Sequence, residues 1–196
     1  MKKYFLLFFI FLFSCIVTPI THMPSPPKYE KEFFKKFGAP YYWTKDSFPL
    51  LIVYADNNTK IFKDAIEHAS YVWNKSVDKT VFLTIEVNQK DEFLKKYPHY
   101  RIIPIKMEQI NKITTLGYTK YYFFGFFSAR LHSSRVAISN HTKIEDYPGV
   151  LIHELGHVLG LKHDNKINSI MYHQYDIRKN AIIEPNDLFL IREMLK

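Results

Sequence analysis

The sequence predicts an α+β fold, in which short strands build a sheet and amphipathic helices cover it. Leu50–Tyr54 is a compact apolar run of strand length, and Val81–Val87 alternates and is rich in β-branched residues. Between these runs, apolar residues recur at helical spacing from Ile61 to Trp73. The chain of 196 residues is long enough for one domain with a sizeable core.

The first fourteen residues read as an export signal. Lys2 and Lys3 precede a short apolar run, Tyr4–Phe13, which is too short for an ordinary membrane span. Positions 12–15 read L-F-S-C and resemble a bacterial lipobox, although Phe13 is an unusual occupant of that motif. Three outcomes stay open: a lipoprotein whose Cys15 is lipidated, ordinary cleaved secretion, and an uncleaved anchor. We therefore expect an exported protein that is membrane-anchored or secreted.

Residues 15–42 are predicted to be a tether or a short pro-segment, because four prolines between positions 19 and 27 disfavour a helix. The folded domain is predicted to span 43–196 and to start near Trp43. The single cysteine, Cys15, excludes an intrachain disulfide framework and any cysteine-based zinc site.

The remaining elements follow from apolar patterning and turn signals. They are a first helix over about 59–77, a third strand over 101–107, an aromatic stretch over 116–127, a short strand over 135–139, a helix over about 146–159 and a last helix over about 185–195. Pro104 suggests that the third strand lies at an edge or contains a bulge. Pro148 falls in the first turn of its helix, where proline is tolerated.

One stretch, residues 153–163, reads H-E-x-x-H-x-x-G-x-x-H without a mismatch. Positions four apart share a helix face, so His153 and His157 can direct two imidazoles at one ion. Gly160 is the residue most able to adopt positive φ, which would end the helix and return His163 as a third ligand. Three histidines leave the fourth position of a tetrahedral zinc open for water. Glu154 lies next to the first ligand and need not bind the metal itself.

Met171 stands eight residues after His163, within the sequence S-I-M-Y. This stretch resembles the Met-turn of the metzincin zinc proteases, which places a methionine beneath the metal site. The short gap between third histidine and methionine is similar to that of matrixins and their small bacterial relatives. The resemblance covers about 43–196, and residues 153–172 are the part that matches as a motif.

The resemblance implies a metzincin-like zincin catalytic domain with a twisted mixed sheet, an active-site helix, a Met-turn and a C-terminal helix. It implies one catalytic zinc on His153, His157 and His163, with Met171 as the structural floor. It also implies zinc-dependent endopeptidase activity, in which Glu154 is the general base toward a zinc-activated water.

Two features depart from the family pattern. Asp164 follows the third histidine where matrixins commonly have serine; reprolysins have aspartate there, but they carry disulfides that this chain cannot form. The Asp/His/Gly-rich loops that hold structural zinc and calcium in vertebrate matrixins are missing, so we do not expect those ions. The single cysteine also leaves no cysteine switch for latency within the folded part.

The resemblance further suggests where a substrate binds. An extended peptide would pair with a strand edge within 116–127, although core packing explains many of those rings equally well. Residues 172–176 would line the pocket for the residue after the scissile bond, which makes Tyr172 and His173 pocket candidates. His173 occupies the place where astacins and serralysins have a metal-approaching tyrosine, but we expect a pocket wall or surface position. The histidines without ligand spacing are expected at the surface: 22, 68, 99, 132 and 141.

The net charge of +8 fits either a solvated cationic surface or contact with anionic lipid or cell-wall polymer. No nucleic-acid motif is present, so nucleic acid is not an expected partner. We expect a monomer that acts on a peptide or protein substrate. Two alternatives stay open: an inactive zinc-binding surface or interaction lipoprotein, and a hydrolase of a non-protein amide such as cell-wall material. Glu154 argues against the first alternative, because zinc binding alone does not need that carboxylate.

Overall fold

The computed structural model describes residues 42–55, 59–96, 98–111, 115–123, 130–173 and 181–196. The predicted export signal, Cys15 and nearly all of the predicted tether lie outside the described residues and stay predictions. Within the described ranges, no helix combines the length and the apolar character that crossing a membrane requires.

Five strands form one mixed sheet in the described part of the chain. They are β1 (Leu50–Tyr54), β2 (Phe82–Glu86), β3 (Ile102–Glu108), β4 (Gly117–Phe123) and β5 (Leu131–Ser139). Their order is β2-β1-β3-β5-β4; the first four pair in parallel, and β4 runs antiparallel to β5. β4 is therefore an edge strand of the described sheet. The sheet and its helices confirm the predicted α+β class.

Helix α1 (Lys60–Val77) connects β1 to β2, one residue shorter than predicted. The Thr59 hydroxyl caps it by accepting a hydrogen bond from the Phe62 N–H at 3.3 Å. The buried face is apolar apart from one serine: Phe62, Ala65, Ile66, Ala69, Ser70, Trp73 and Val77. Near its end, the Asn74 amide bonds the backbone N–H groups of Val81 and Phe82 at 2.8 and 2.9 Å, which ties β2 to the helix.

The helix that contains the histidine motif is fixed by two buried tryptophans. This helix is α3 (Tyr147–Val158), and it packs against α1, β4 and β5. A short helix, α2 (Lys90–Lys96), lies between α1 and α3 in the chain. Trp73 donates its indole N–H to the Ile152 carbonyl at 2.9 Å, and Trp43 donates to the Val158 carbonyl at 2.6 Å. Because the last carbonyls of a helix lack intrahelical partners, Trp43 satisfies a group that burial would otherwise leave unpaired.

The last helix, α4 (Pro185–Met194), ends one residue before the predicted end and contacts α1. The Arg192 guanidinium donates to the Ser76 and Val77 carbonyls at 3.0 and 3.3 Å. These carbonyls form the negative end of α1, so the cation also interacts favourably with the helix dipole.

The prediction for Pro104 is wrong, because β3 lies in the middle of the sheet with β1 and β5 as neighbours. Pairing with β5 begins only at Ile105, whereas Pro104 pairs with Val53 of β1. The proline thus occupies a position where β3 is paired on one side alone, which accommodates its missing N–H.

Two further elements differ from prediction. β5 begins at Leu131 instead of Arg135, because polar residues such as the fully buried Ser134 interrupt its apolar pattern. The helix α2 was not predicted. It has seven residues, none of which is buried, so it carries no apolar periodicity to detect.

Candidate metal centre and active site

The first two predicted ligands lie one turn apart on α3. His153 and His157 place their Nε2 atoms 3.1 Å from each other. After the helix ends at Val158, Gly160 adopts a φ of 94°, which confirms the predicted positive-φ turn. The reversal brings the His163 Nε2 to 3.0 Å from that of His157. The structure thus brings the three predicted ligands together.

Backbone carbonyls orient two of these rings. The Nδ1 of His153 lies 2.7 Å from the Ile170 carbonyl, and the Nδ1 of His157 lies 2.9 Å from the Leu161 carbonyl. A carbonyl can only accept a hydrogen bond, so Nδ1 carries the proton in both rings. The Nε2 lone pairs of His153 and His157 therefore point at the centre of the cluster. Histidines that bind a metal through one ring nitrogen commonly donate the other ring N–H to a carbonyl in this way.

Burial keeps the cluster uncharged. Desolvation lowers the pKa of His153 to about 4 and that of His157 to about 3. The pKa of His163 is lowered by desolvation and by the nearby charge of His173. At neutral pH the rings are in the form that binds metal.

The donor set fits a metal ion. One nitrogen from each of three histidines lies within 4.8 Å of the others, and this is a group that could hold a metal. Facing lone pairs at about 3 Å repel each other unless a proton or cation lies between them. Three imidazoles match the ligand type and number of a catalytic zinc.

Met171 is fully buried under α3. The Ser169 hydroxyl accepts a hydrogen bond from the Met171 N–H at 3.0 Å, and the Met171 carbonyl accepts one from the Asp164 N–H at 2.7 Å. A Cβ on Gly156 would lie 2.4 Å from the Met171 sulfur and 3.0 Å from the Trp73 ring. The glycine between the two helical histidines is therefore what lets the methionine approach the helix backbone.

Glu154 lies on α3 between the histidines and the edge strand β4. Its side chain is buried, and desolvation raises its pKa to about 7, while a hydrogen bond from Thr119 acts in the opposite direction. The Thr119 hydroxyl donates to Oε2 at 2.7 Å. The carboxylate borders a cleft of about 260 Å³ lined by Gly117, Tyr118, Thr119, Tyr121, Glu154, His157 and His163. A buried carboxylate, two metal-ligand candidates and an edge strand of the described sheet thus meet in one cleft.

The sequence did not identify the β4 side of this cleft beyond its general range. Gly117, Thr119 and Tyr121 alternate along β4, so all three are directed to the same face of the strand. The Tyr121 hydroxyl donates to the His157 carbonyl at 3.1 Å. The family resemblance placed a strand edge within 116–127, but it did not show which residues of that strand face α3.

The pocket candidates are only partly described. Tyr172 is half-buried and His173 is exposed, with their ring centres 4.5 Å apart. His173 is not part of the three-histidine group found among the described residues. Positions 174–176 and His22 lie outside the described residues, and the other histidines without ligand spacing are exposed as expected: His68, His99, His132 and His141.

Known proteins resemble this chain in sequence and in structure. A family profile described as Matrixin matches residues 43–195. Among solved structures, archaemetzincin from Methanopyrus kandleri is similar, with a TM-score of 0.49 and 13% sequence identity over 80% of this chain and 96% of the archaemetzincin chain. A comparison with curated protein sequences gives no match.

Proposed function

The chain belongs to the matrixin family of peptidases, and on that premise we propose that it is an exported zinc-dependent endopeptidase. Family membership and the three-histidine cluster together support a zinc peptidase. The proposal adds three points: cleavage inside peptide chains, a catalytic role for Glu154, and export.

One observation carries the proposal: the Nε2 atoms of His153 and His163 lie 3.1 and 3.0 Å from that of His157, and the buried Glu154 carboxylate borders the cleft that His157 and His163 line. A protein that only binds zinc needs the imidazoles but not Glu154. The Glu154 side chain is buried, and it lines the same cleft as His157 and His163. The carboxylate is therefore best explained by chemistry at the site.

His153, His157 and His163 would hold the zinc. When bound, zinc supplies a Lewis acid that lowers the pKa of a water molecule to about 7 and polarises a carbonyl. The Ile170 and Leu161 carbonyls keep two of the rings in the tautomer and orientation that binding requires.

Glu154 would act as general base and then as general acid. Its carboxylate takes a proton from the water whose oxygen bonds to the peptide carbonyl carbon. As the C–N bond breaks, Glu154 gives that proton to the leaving amine. Burial raises the pKa of Glu154, which favours uptake of the proton from the water.

The substrate would lie along β4. This strand is an edge of the described sheet, and Gly117, Thr119 and Tyr121 line the cleft beside Glu154. An extended peptide can add to such an edge through main-chain hydrogen bonds. Pairing of this kind needs no free chain end, which favours an endopeptidase. Tyr172 and His173 stay the proposed wall of the pocket after the scissile bond.

Export rests on residues 1–14 and stays a proposal, as do lipid anchoring through Cys15 and the monomeric state. Detergent partitioning of the full-length protein from its native host, with N-terminal sequencing, tests the anchor. A detergent-soluble protein that begins at Cys15 is expected for a lipoprotein. A fully water-soluble protein that begins beyond residue 15 would contradict lipidation.

Peptide-library cleavage by the purified, zinc-loaded protein tests the proposed activity. We expect cleavage at internal bonds, about one zinc per chain, and loss of both on chelation. His157→Ala should lose zinc and activity, whereas His141→Ala, at an exposed histidine outside the cluster, should keep both. Cleavage that chelator does not affect would contradict the proposal. Stoichiometric zinc without cleavage of any peptide would favour the binding-protein or non-protein-amide alternative.

A further inference from the structure

The Glu154 carboxylate forms a hydrogen bond with a residue of β4, which lies outside the histidine motif at 153–163. Thr119 of β4 lies 35 residues away in sequence, yet its hydroxyl is 2.7 Å from Glu154 Oε2. The same hydroxyl is 3.1 Å from the Glu154 backbone carbonyl. One side chain thus contacts both the reactive group and the main chain of the same residue.

We propose that Thr119 is a positioning residue that holds the Glu154 carboxylate toward the metal cleft. This inference rests on the proposed function, because it assigns Thr119 a part in the work of the general base. Glu154 has three rotatable side-chain bonds and lies beside an open cleft, so its helix alone does not fix the carboxylate. A hydroxyl on the facing strand does.

The geometry suits both forms of the carboxyl group. A hydroxyl has one proton to donate and lone pairs that accept. Toward the ionised carboxylate, Thr119 donates to Oε2. When Oε2 carries the proton, it can donate to the Thr119 oxygen, and the Thr119 proton can turn to the Glu154 carbonyl at 3.1 Å. Thr119 therefore keeps the carboxyl in one place throughout the proposed cycle.

Gly117 supports the same arrangement from two positions earlier on β4. A Cβ at Gly117 would lie 3.1 Å from both Glu154 Cγ and Oε1, and 3.1 Å from Val150 Cγ1. These distances are shorter than ordinary van der Waals contacts. The glycine leaves the space that the carboxylate occupies, and Thr119 supplies the hydrogen bond that keeps it there.

Thr119→Val and Thr119→Ser test the proposal in the zinc-loaded protein. Valine keeps the shape and strand preference of threonine without the hydroxyl, and serine keeps the hydroxyl. We expect Thr119→Val to lower kcat about 10–100-fold with KM changed less than about 3-fold, because the lost bond is to a charged group and misplacement is costly. Thr119→Ser should restore kcat to within about 5-fold of wild type.

Zinc content and the unfolding temperature separate positioning from stability. Both should stay at wild-type values in Thr119→Val. Thr84→Val on β2, at the opposite edge of the sheet, is the matched control and should leave kcat unchanged. An unchanged kcat in Thr119→Val would overturn the proposal. So would a defect confined to KM, or a serine variant as slow as the valine variant.

Crystal structures of metal-free wild type and Thr119→Val provide a readout independent of activity. We expect the Glu154 carboxylate within about 3 Å of the residue-119 hydroxyl in the wild type, and rotated or disordered in the variant. A carboxylate that stays in place without the hydroxyl would overturn the proposal. If the wild type cleaves no peptide, the proposed function fails, and these structures still decide whether Thr119 holds the carboxylate.

Discussion

Two helices each bury a carboxylate, and the two carboxylates have different surroundings. Glu154 in α3 and Asp187 in the first turn of α4 are 5% and 9% exposed, and desolvation is the main cause of a raised pKa in both, to about 7 and about 6. Glu154 receives a hydrogen bond from Thr119 and borders a cleft. Asp187 Oδ2 has no partner among the described residues, and the charge of Asp164 raises its pKa further.

The difference shows that burial and a raised pKa do not by themselves identify a catalytic group. Both carboxylates meet those criteria. Glu154 differs because it accepts a hydrogen bond from Thr119 and lines a cleft with two of the three clustered histidines. Asp187 has an unpaired oxygen and acidic neighbours, so we expect it to affect stability and not chemistry. Three predictions test this contrast.

Gly156→Ala should destabilise the protein by displacing α3, which carries Glu154 and two of the histidines. Alanine is the better helix former by about 1 kcal/mol, but its Cβ would lie 2.4 Å from the buried Met171 sulfur. Overpacking costs up to about 3 kcal/mol, so a net loss of about 2 kcal/mol is expected. Chemical unfolding measures it. Gly149→Ala, at a half-buried position in the same helix, is the control and should lose nothing; equal stability of both variants would contradict this packing.

Asp187→Asn should change how the stability of the protein depends on pH. The folded-state pKa is raised, so folding favours the neutral form, and wild-type stability falls as pH rises from about 4, the unfolded value, to about 6. Asparagine mimics the neutral form. It should be more stable than wild type by about 1 kcal/mol at pH 7, since partial solvent access reduces the roughly 3 kcal/mol that two units represent. The advantage should vanish near pH 4.

Asp91→Asn is the matched control for Asp187→Asn. Asp91 also lies in the first turn of a helix, but it is exposed. The Asp91→Asn substitution therefore measures only the loss of a favourable interaction between a carboxylate and the helix dipole. Thermal unfolding between pH 4 and 8 compares the two. A stability difference for Asp187→Asn that is constant over this range would contradict the contrast.

The parts of the site that the sequence predicted are those that depend on local spacing. His153 and His157 face one ion because four residues make about one helical turn, and Gly160 turns the chain because it lacks a Cβ. The strand at Leu50–Tyr54 was predicted with its observed ends, because all five of its residues are buried. Each of these features is determined by neighbours within a few positions.

The parts that the sequence could not predict depend on contacts between distant segments. Thr119 meets Glu154 only because β4 lies on the sheet edge beside α3, and no periodicity determines that register. Pro104 is accommodated in the central strand β3 because the pairing of β3 with β5 starts one residue later, at Ile105. Asp187 and Asp164 interact although 23 positions separate them in the chain. Such contacts require the folded coordinates.

Glu154→Gln in the zinc-loaded protein tests the central claim most directly. Glutamine keeps the size of the side chain and removes the group that takes up a proton. We expect about one zinc per chain, an unchanged fold, and peptide cleavage lower by at least about 10²–10⁴-fold, the usual contribution of general acid–base catalysis. Glu145→Gln, at an exposed glutamate before α3, should cleave at the wild-type rate. Wild-type cleavage by Glu154→Gln, with zinc bound, would contradict the assignment of Glu154 as the catalytic base.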